Sequence, residues 1–280
     1  MKIISIGDIH GRQYWKEVDV TKYDKVIFVG DYTDQFPPMT DVEIETNLLE
    51  IIELKKNNPD KVVLLLGNHD IQYMFLDEGF GCSGFRPTMA QNLKMIFKHN
   101  KDLFQIAHQI DRYLWTHAGV SHGWYEYNKP DIERIQKEFN CKDLADTLNH
   151  MLSMKENRLL HMVSRRRGGM YQFGGVTWAD RVETMENYLD GYHQIVGHTP
   201  INQITLFGDE KGTIRYIDVL NEVYFQEQDK LKAEQKWGRN NDYDKAIREQ
   251  FPDMKPVVKE YPQITKFYEF EIEHSVQQEN

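Results

Sequence analysis

The chain has two cysteines among 280 residues, no apolar run approaching bilayer length, and fewer basic than acidic side chains. Cys82 and Cys141 stand far apart and match no zinc or redox spacing, so a disulfide framework is excluded and two free thiols in a reducing, cytoplasmic setting are expected. A membrane span needs about 18 consecutive apolar residues, and none is present. The opening Met1-Lys2-Ile3-Ile4-Ser5-Ile6 runs straight into Gly7-Asp8, too short an apolar stretch for a secretory leader. With a net charge of −10 there is no basic face for extended nucleic-acid binding. A phosphorylated substrate stays compatible with that charge, because bound cations would dominate the local field of a site.

Hydrophobic residues make up 40% of the chain and aromatics 12%, enough to build a large core. Five short apolar segments read as buried strands: Lys2–Ile6, Lys25–Val29, Lys61–Leu66, Tyr113–Thr116 and Gln194–Val196. Their near-continuous apolarity predicts strands covered on both faces, as in a layered α/β fold. Between the second and third, Thr40-Asp41-Val42-Glu43 has the form of a capping box. Ile44, Leu48, Ile51 and Ile52 then recur at helical spacing, which makes a strand–helix–strand unit. Residues 79–160 read as a mostly helical insertion, with Met89, Leu93, Ile96 and Phe97 on one apolar face and Leu144, Leu148, Met151 and Leu152 on another. Thr213–Val219 and Val223–Gln226 read as a hairpin. The charged stretch 227–250 reads as solvated helix, and Tyr268–Ile272 as an edge strand. The organisation expected is one domain, with a body over residues 1–226 and a further segment over 227–280.

Each apolar segment ends in a short polar motif. The five are Gly7-Asp8-Ile9-His10-Gly11, Gly30-Asp31-Tyr32-Thr33-Asp34, Gly67-Asn68-His69-Asp70, His117-Ala118-Gly119 and Gly197-His198-Thr199-Pro200. A lone Gly-Asp after a strand is usually a turn. Five in succession are not explained as turns, and in α/β sheets such tips converge where ligands bind. Asp, His and Asn together supply oxygen and nitrogen donors suited to Mn, Fe or Zn.

This set of motifs resembles the calcineurin-like metallophosphoesterase superfamily, and within it the phosphoprotein phosphatase branch with its bacterial and phage-type members. The resemblance covers residues 1 to about 225 and implies a four-layer α/β/β/α sandwich of two mixed sheets, with the metal site at the carboxyl ends of the strands. It implies two divalent metal ions, manganese favoured. Asp8 and His10 would hold the first, Asp31 would bridge, and Asn68, His117 and His198 would hold the second. His69 would protonate the leaving group, with Asp34 orienting its ring. The chemistry is coherent. Two metals clamp the attacking and leaving oxygens and generate a hydroxide nucleophile near neutral pH, while an alkoxide leaving group needs an acid such as a carboxylate-held imidazole.

The chain departs from the family pattern where Gln35-Phe36 follows Asp34 in place of Arg-Gly, where Asp70 replaces a Glu, and where Ala118 replaces a Gly. The first departure removes an arginine suited to gripping phosphate. Candidates to replace it are Arg165, Arg166 and Arg167, in a glycine-rich stretch before Trp178, and also Arg12 and Arg181. An arginine triplet is otherwise a solvated face. Histidines outside the motifs, His150 and His161 among them, read as ordinary surface or core residues, and Trp115 and Trp124 as packing. The expected activity is hydrolysis of a phosphomonoester, with a phosphoprotein as substrate. Hydrolysis of a dinucleoside polyphosphate or a nucleic-acid end is the alternative, and a non-catalytic metal-binding scaffold is a third reading.

Overall fold

The computed structural model describes residues 1–34, 39–237, 259 and 261–272. In chain order the elements are β1 (Lys2–Ile6), β2 (Lys25–Phe28), α1 (Asp41–Asn57), β3 (Val62–Leu65), α2 (Asn68–Met74), α3 (Ala90–His99), β4 (Phe104–Gln105), β5 (Ala107–Ile110) and β6 (Tyr113–Thr116). There follow α4 (His122–Glu138), α5 (Leu144–Leu152), α6 (Asn157–Leu160), α7 (Arg181–Glu186), β7 (His193–Val196), β8 (Thr205–Gly208), β9 (Thr213–Tyr216), α8 (Leu220–Trp237) and β10 (Tyr268–Glu271). No helix among the described residues is long and apolar enough to cross a membrane.

Strand periodicity builds the layers. In one sheet, ordered β10-β1-β2-β3-β4, the residues Ile4, Ile6, Val26, Phe28, Val62 and Leu64 point towards α1 and its neighbours. Their sequence neighbours Ile3, Ile27, Val29, Val63 and Leu65 point the other way, against Trp115, Ile195 and Ile217 of the second sheet. That second sheet is ordered β5-β6-β7-β9-β8, and its far face packs Val196, Ile214 and Tyr216 against Met185 of α7. The result is the four-layer sandwich expected. One hydrogen bond ties the two sheets across the dry interface: the Trp115 indole donates to Ser5 Oγ at 2.9 Å.

β1, β2 and β3 run parallel, as do β6, β7 and β9, so six strand ends point to one edge of the sandwich. Thr40 and Glu43 form the capping box that starts α1, and Ile44, Leu48, Ile51 and Ile52 are buried under it. β10 adds to β1 as an antiparallel edge strand.

The structure departs from the sequence reading in three places. Val223–Gln226 is not a strand but part of α8; Leu220, Val223 and Gln226 are all buried and recur every third residue, a helical period that the β-branched and aromatic composition concealed. The stretch 79–160 holds β4 and β5 besides the expected β6, and β5 was hidden by its polar His108 and Gln109. Thr205–Gly208, unassigned from sequence, is an edge strand, half exposed as its alternation requires. The solvated helix expected over 227–250 is described only to Trp237, and the rest of it lies outside the described residues.

Candidate metal centre

The loops leaving β1, β2, β3, β6, β7 and β9 bring Asp8, Asp31, Asn68, His117, His198 and Asp218 together. Glycines allow the approach: a Cβ on Gly67 would sit 2.0 Å from Asp31 Oδ1, and one on Gly197 would sit 2.0 Å from Asp8 Oδ1. Among the described residues, four of the six non-glycine residues with positive φ are here, namely His10, Asp31, Asp34 and His198. Backbone strain of that kind persists where surrounding structure enforces it, and it concentrates at functional sites.

Around His117 Nε2 lie Asn68 Oδ1 at 3.0 Å, His198 Nδ1 at 3.1 Å and an Asp31 carboxylate oxygen at 3.3 Å. His117 Nδ1 is engaged by the Val29 carbonyl at 2.9 Å, which turns Nε2 towards this cluster. His10 is fixed the same way: Nδ1 donates to the Thr33 carbonyl at 2.6 Å, leaving Nε2 3.7 Å from Asp31. Asp8 accepts the His198 backbone N–H at 3.0 Å. Asp31 therefore stands between two donor sets, His10 on one side and Asn68, His117 and His198 on the other.

The electrostatics call for cations. Burial pushes Asp8 well above the usual carboxylate range, and Asp218 adds to it. Burial and Asp31 together raise Asp70 to about 7, and burial raises Asp218 to about 6. Burial would raise Asp31 too, but the imidazoles of His117, His69 and His10 overcome it and hold the group ionised. His117 is driven up to about 9 against its burial, chiefly by Asp31 and Asp8. Buried carboxylates thus crowd one point and draw a proton onto the nearest imidazole, and a field that attracts a proton attracts a metal ion. His198 Nε2 is buried without a partner. Groups of ligand atoms within 4.8 Å occur at His10–Asp31–His69 and at Asp31–His117–His198. The residues fit divalent metal.

A sequence profile of the calcineurin-like phosphoesterases matches residues 1–202. The chain belongs to that family. Among curated proteins it is similar to a symmetrical bis(5'-nucleosyl)-tetraphosphatase of Nitrosospira multiformis, 25% identical over 136 residues, which are 44% of this chain and 46% of the relative. The chain therefore spans about half the length of that relative. Among solved structures it is similar to a cold-active protein-tyrosine phosphatase of a psychrophilic Shewanella (17% identity, 76% of this chain and 70% of that one, TM-score 0.42). A Saccharomyces cerevisiae serine/threonine phosphatase stands at 16% identity, 78% and 67% coverage and TM-score 0.42. The two structural likenesses are too distant to bear on substrate.

His69 and Asp34 meet beside the cluster: Asp34 accepts from His69 Nδ1 at 2.9 Å. Asp34 is held in turn by the Gln72 amide and the Tyr73 hydroxyl from the next turn of α2. Burial would lower His69, but Asp31 and then Asp34 raise it well above the ordinary histidine range. The cleft, about 300 Å³, is lined by Asp8, His10, Asp31, Asp34, Asn68, His69 and His198 together with Arg167, Trp178, Asn221 and Phe225.

The arginines separate. Arg167 lines the cleft, ion-paired to Asp180 at 2.9 Å and donating to Thr199 Oγ1 at 2.6 Å. Arg165 and Arg166 are not among its lining residues, and Arg166 faces Glu186 at 3.8 Å on the surface. Arg181 lies over the Phe207 and Tyr216 rings on the outer face of the second sheet. Arg12 is buried behind Asp8, donating to its carbonyl at 2.9 Å and to Asn221 Oδ1 at 3.2 Å. Gln35 lies outside the described residues.

Sequence reasoning missed Asp218. The signal was present, an aspartate directly after the apolar end of β9, but the strand reading ran on to Val219 and absorbed it. It also left Asp70 without a role. The buried Asp70 carboxylate accepts the backbone N–H groups of Asp31 (2.8 Å), Tyr32 (2.9 Å) and Gly67 (2.9 Å), pinning the second and third loops together. Asp70→Asn leaves one acceptor oxygen where three N–H groups converge. It is expected to destabilise the fold by about 1–3 kcal/mol, read as a lower urea midpoint with an unchanged slope. A midpoint like the parent's would show that the loops are pinned by something else.

Proposed function

We propose that the protein is a metal-dependent phosphomonoesterase of the serine/threonine phosphatase type. The observation that carries the reading is the convergence of Asp8, His10, Asp31, Asn68, His117 and His198 beside an imidazole that is held by a carboxylate and is not needed as a ligand. Asp8 and His10 would hold one divalent ion, Asn68, His117 and His198 a second, and Asp31 would serve both. Bound there, the ions supply the positive charge that a phosphate dianion and its attacking water require.

The chain's own groups do the rest. His69, with Nδ1 occupied by Asp34, presents Nε2 as the proton donor to the leaving oxygen. Asp34 keeps that ring in place and favours its charged form. Arg167, anchored by Asp180 and Thr199, grips the phosphate oxygens in place of the arginine missing after Asp34. Trp178 and Phe225 form apolar walls able to face a planar leaving group. Together with the tetraphosphatase relative, those walls favour dinucleoside polyphosphate hydrolysis as the second reading. Pairing of β10 with β1, and the unbroken run of α8 across residue 226, support treating residues 1–226 and the segment after them as one domain. The unpaired thiols fit a reducing, cytoplasmic setting.

A panel of monoester, diester and dinucleotide substrates with manganese tests the activity. Chelation followed by dialysis should abolish turnover and Mn²⁺ should restore it, with monoesters turned over fastest; full activity in metal-free protein sinks the reading. His69→Asn should retain both metal equivalents and lower turnover roughly 10²–10⁴-fold on alkyl esters, with a smaller loss on an activated aryl ester. Loss of a metal equivalent in that variant would make His69 a ligand instead.

The arginine assignment has its own test. Arg167→Ala should lower kcat/KM by roughly 10–100-fold with metal content unchanged, the value of one charge-assisted contact. Arg165→Ala and Arg166→Ala should stay close to the parent. Equal behaviour of all three would transfer the clamp to another residue.

A further inference from the structure

Away from the cleft, the junction of α4 and α5 gathers a second set of ligand-type side chains, independent of the reading above. Asp146 and His150 stand one turn apart on α5, so their side chains share a face. Phe139 caps the C-terminus of α4, and Asn140 then takes a left-handed conformation with φ 51°. The Cys141 N–H closes back onto the Gln136 carbonyl at 3.0 Å, a Schellman-type turn. That turn lays the Cys141 thiol over the Asp146–His150 face.

Cys141 Sγ lies 3.7 Å from His150 Nδ1, and the same nitrogen lies 3.6 Å from Asp146 Oδ1. All three ligand atoms fall within 4.8 Å of one another. Zinc–sulfur and zinc–nitrogen bonds of about 2.3 and 2.0–2.1 Å at tetrahedral angles give ligand–ligand edges of about 3.3–3.6 Å. The Sγ–Nδ1 and Nδ1–Oδ1 edges therefore need a contraction of only a few tenths of an ångström. The ligands are also oriented from outside. The other Asp146 oxygen accepts the Lys142 N–H at 3.1 Å, and Phe139 packs on the imidazole with ring centroids 4.9 Å apart. The thiol is buried, while the Asp146 and His150 side chains are about one-third exposed, which leaves an entry side and room for water as fourth ligand.

We propose that Cys141, Asp146 and His150 form a binding site for a thiophilic divalent cation such as Zn²⁺, stapling the start of α5 to the end of α4. On binding, the Cys141 S–H bond breaks, its proton leaves to solvent and the thiolate takes the metal. The Nδ1 proton, now donated to the Asp146 carbonyl at 2.9 Å, leaves as Nε2 takes one up, and the ring turns off that carbonyl so that the Nδ1 lone pair can ligate. The thiolate and the carboxylate then neutralise the divalent charge.

Cobalt substitution of the full chain tests this, because a thiolate-to-cobalt charge-transfer band marks sulfur ligation; Cys82 lies with Asp34 and His69 beside the cleft, so Cys82→Ser is the control that assigns the sulfur. The band should appear in the parent, vanish in Cys141→Ser, persist in Cys82→Ser, and be displaced by added Zn²⁺. His150→Gln, which keeps the thiol, should weaken the cobalt responsible for that band by at least about tenfold. Circular dichroism of each variant checks that the fold is retained. No band in the parent, a band surviving Cys141→Ser, or one lost in Cys82→Ser would overturn the site; the first outcome would leave an Asp146–His150 pair beside a buried thiol.

Discussion

Buried negative charge, only partly offset by the chain's own cations, organises one whole edge of this molecule. Asp8, Asp31, Asp70 and Asp218 are each at most 2% exposed, and three of the four are pushed upward in pKa by burial and by one another. Burying several carboxylates together is unfavourable unless opposite charge compensates them. The chain supplies part of that compensation with Arg12 and His117. The remainder is the electrostatic demand that divalent metal would meet. His117 responds by taking up a proton more readily, and Asp31 stays ionised because three imidazoles face it.

The sandwich is what makes such crowding possible. Parallel strands on both sheets end at the same edge, and the residues just beyond them face each other without crossing the core. Dry packing of Ile3, Ile27, Val29, Val63 and Leu65 against Trp115, Ile195 and Ile217 holds the two sheets in register. The loops are then locked by groups outside the donor set. Asp70 ties three N–H groups together, the carbonyls of Val29 and Thr33 choose which nitrogen His117 and His10 present, and Gly67 and Gly197 leave room for carboxylates where any side chain would collide. Positive φ at His10, Asp31, Asp34 and His198 is the backbone counterpart of that locking.

The same principle, orientation by neighbours, separates otherwise equivalent residues. Three arginines stand in a row, but Asp180 and Thr199 hold Arg167 in the cleft while Arg166 remains at the surface beside Glu186. His69 and Asn68 are adjacent on α2, yet Asn68 turns towards His117 and His198 while Asp34, braced by Gln72 and Tyr73, takes the ring of His69. At the α4–α5 junction a left-handed Asn140 brings Cys141 over a helix face five and nine residues further along.

The sequence by itself determined the layered α/β class, the apolar strands that end in polar motifs, the capping box of α1 and the set of Asp, His and Asn donors. Each of these depends on local pattern: apolar continuity, glycine placement, helical spacing. Tertiary structure decided what local pattern does not encode. Val223–Gln226 became helix because Leu220, Val223 and Gln226 needed one buried face, and β5 became a strand despite its polar residues because β6 offered it a ladder. Asp218 joined the centre because β9 runs parallel to β7, and Arg167 was singled out because Asp180 and Thr199, distant in sequence, lie beside it. Cys141 shows the limit most simply. No linear spacing identifies it as a ligand, and only the turn after α4 sets its sulfur beside Asp146 and His150, because ligand geometry is measured in ångströms and not in residues.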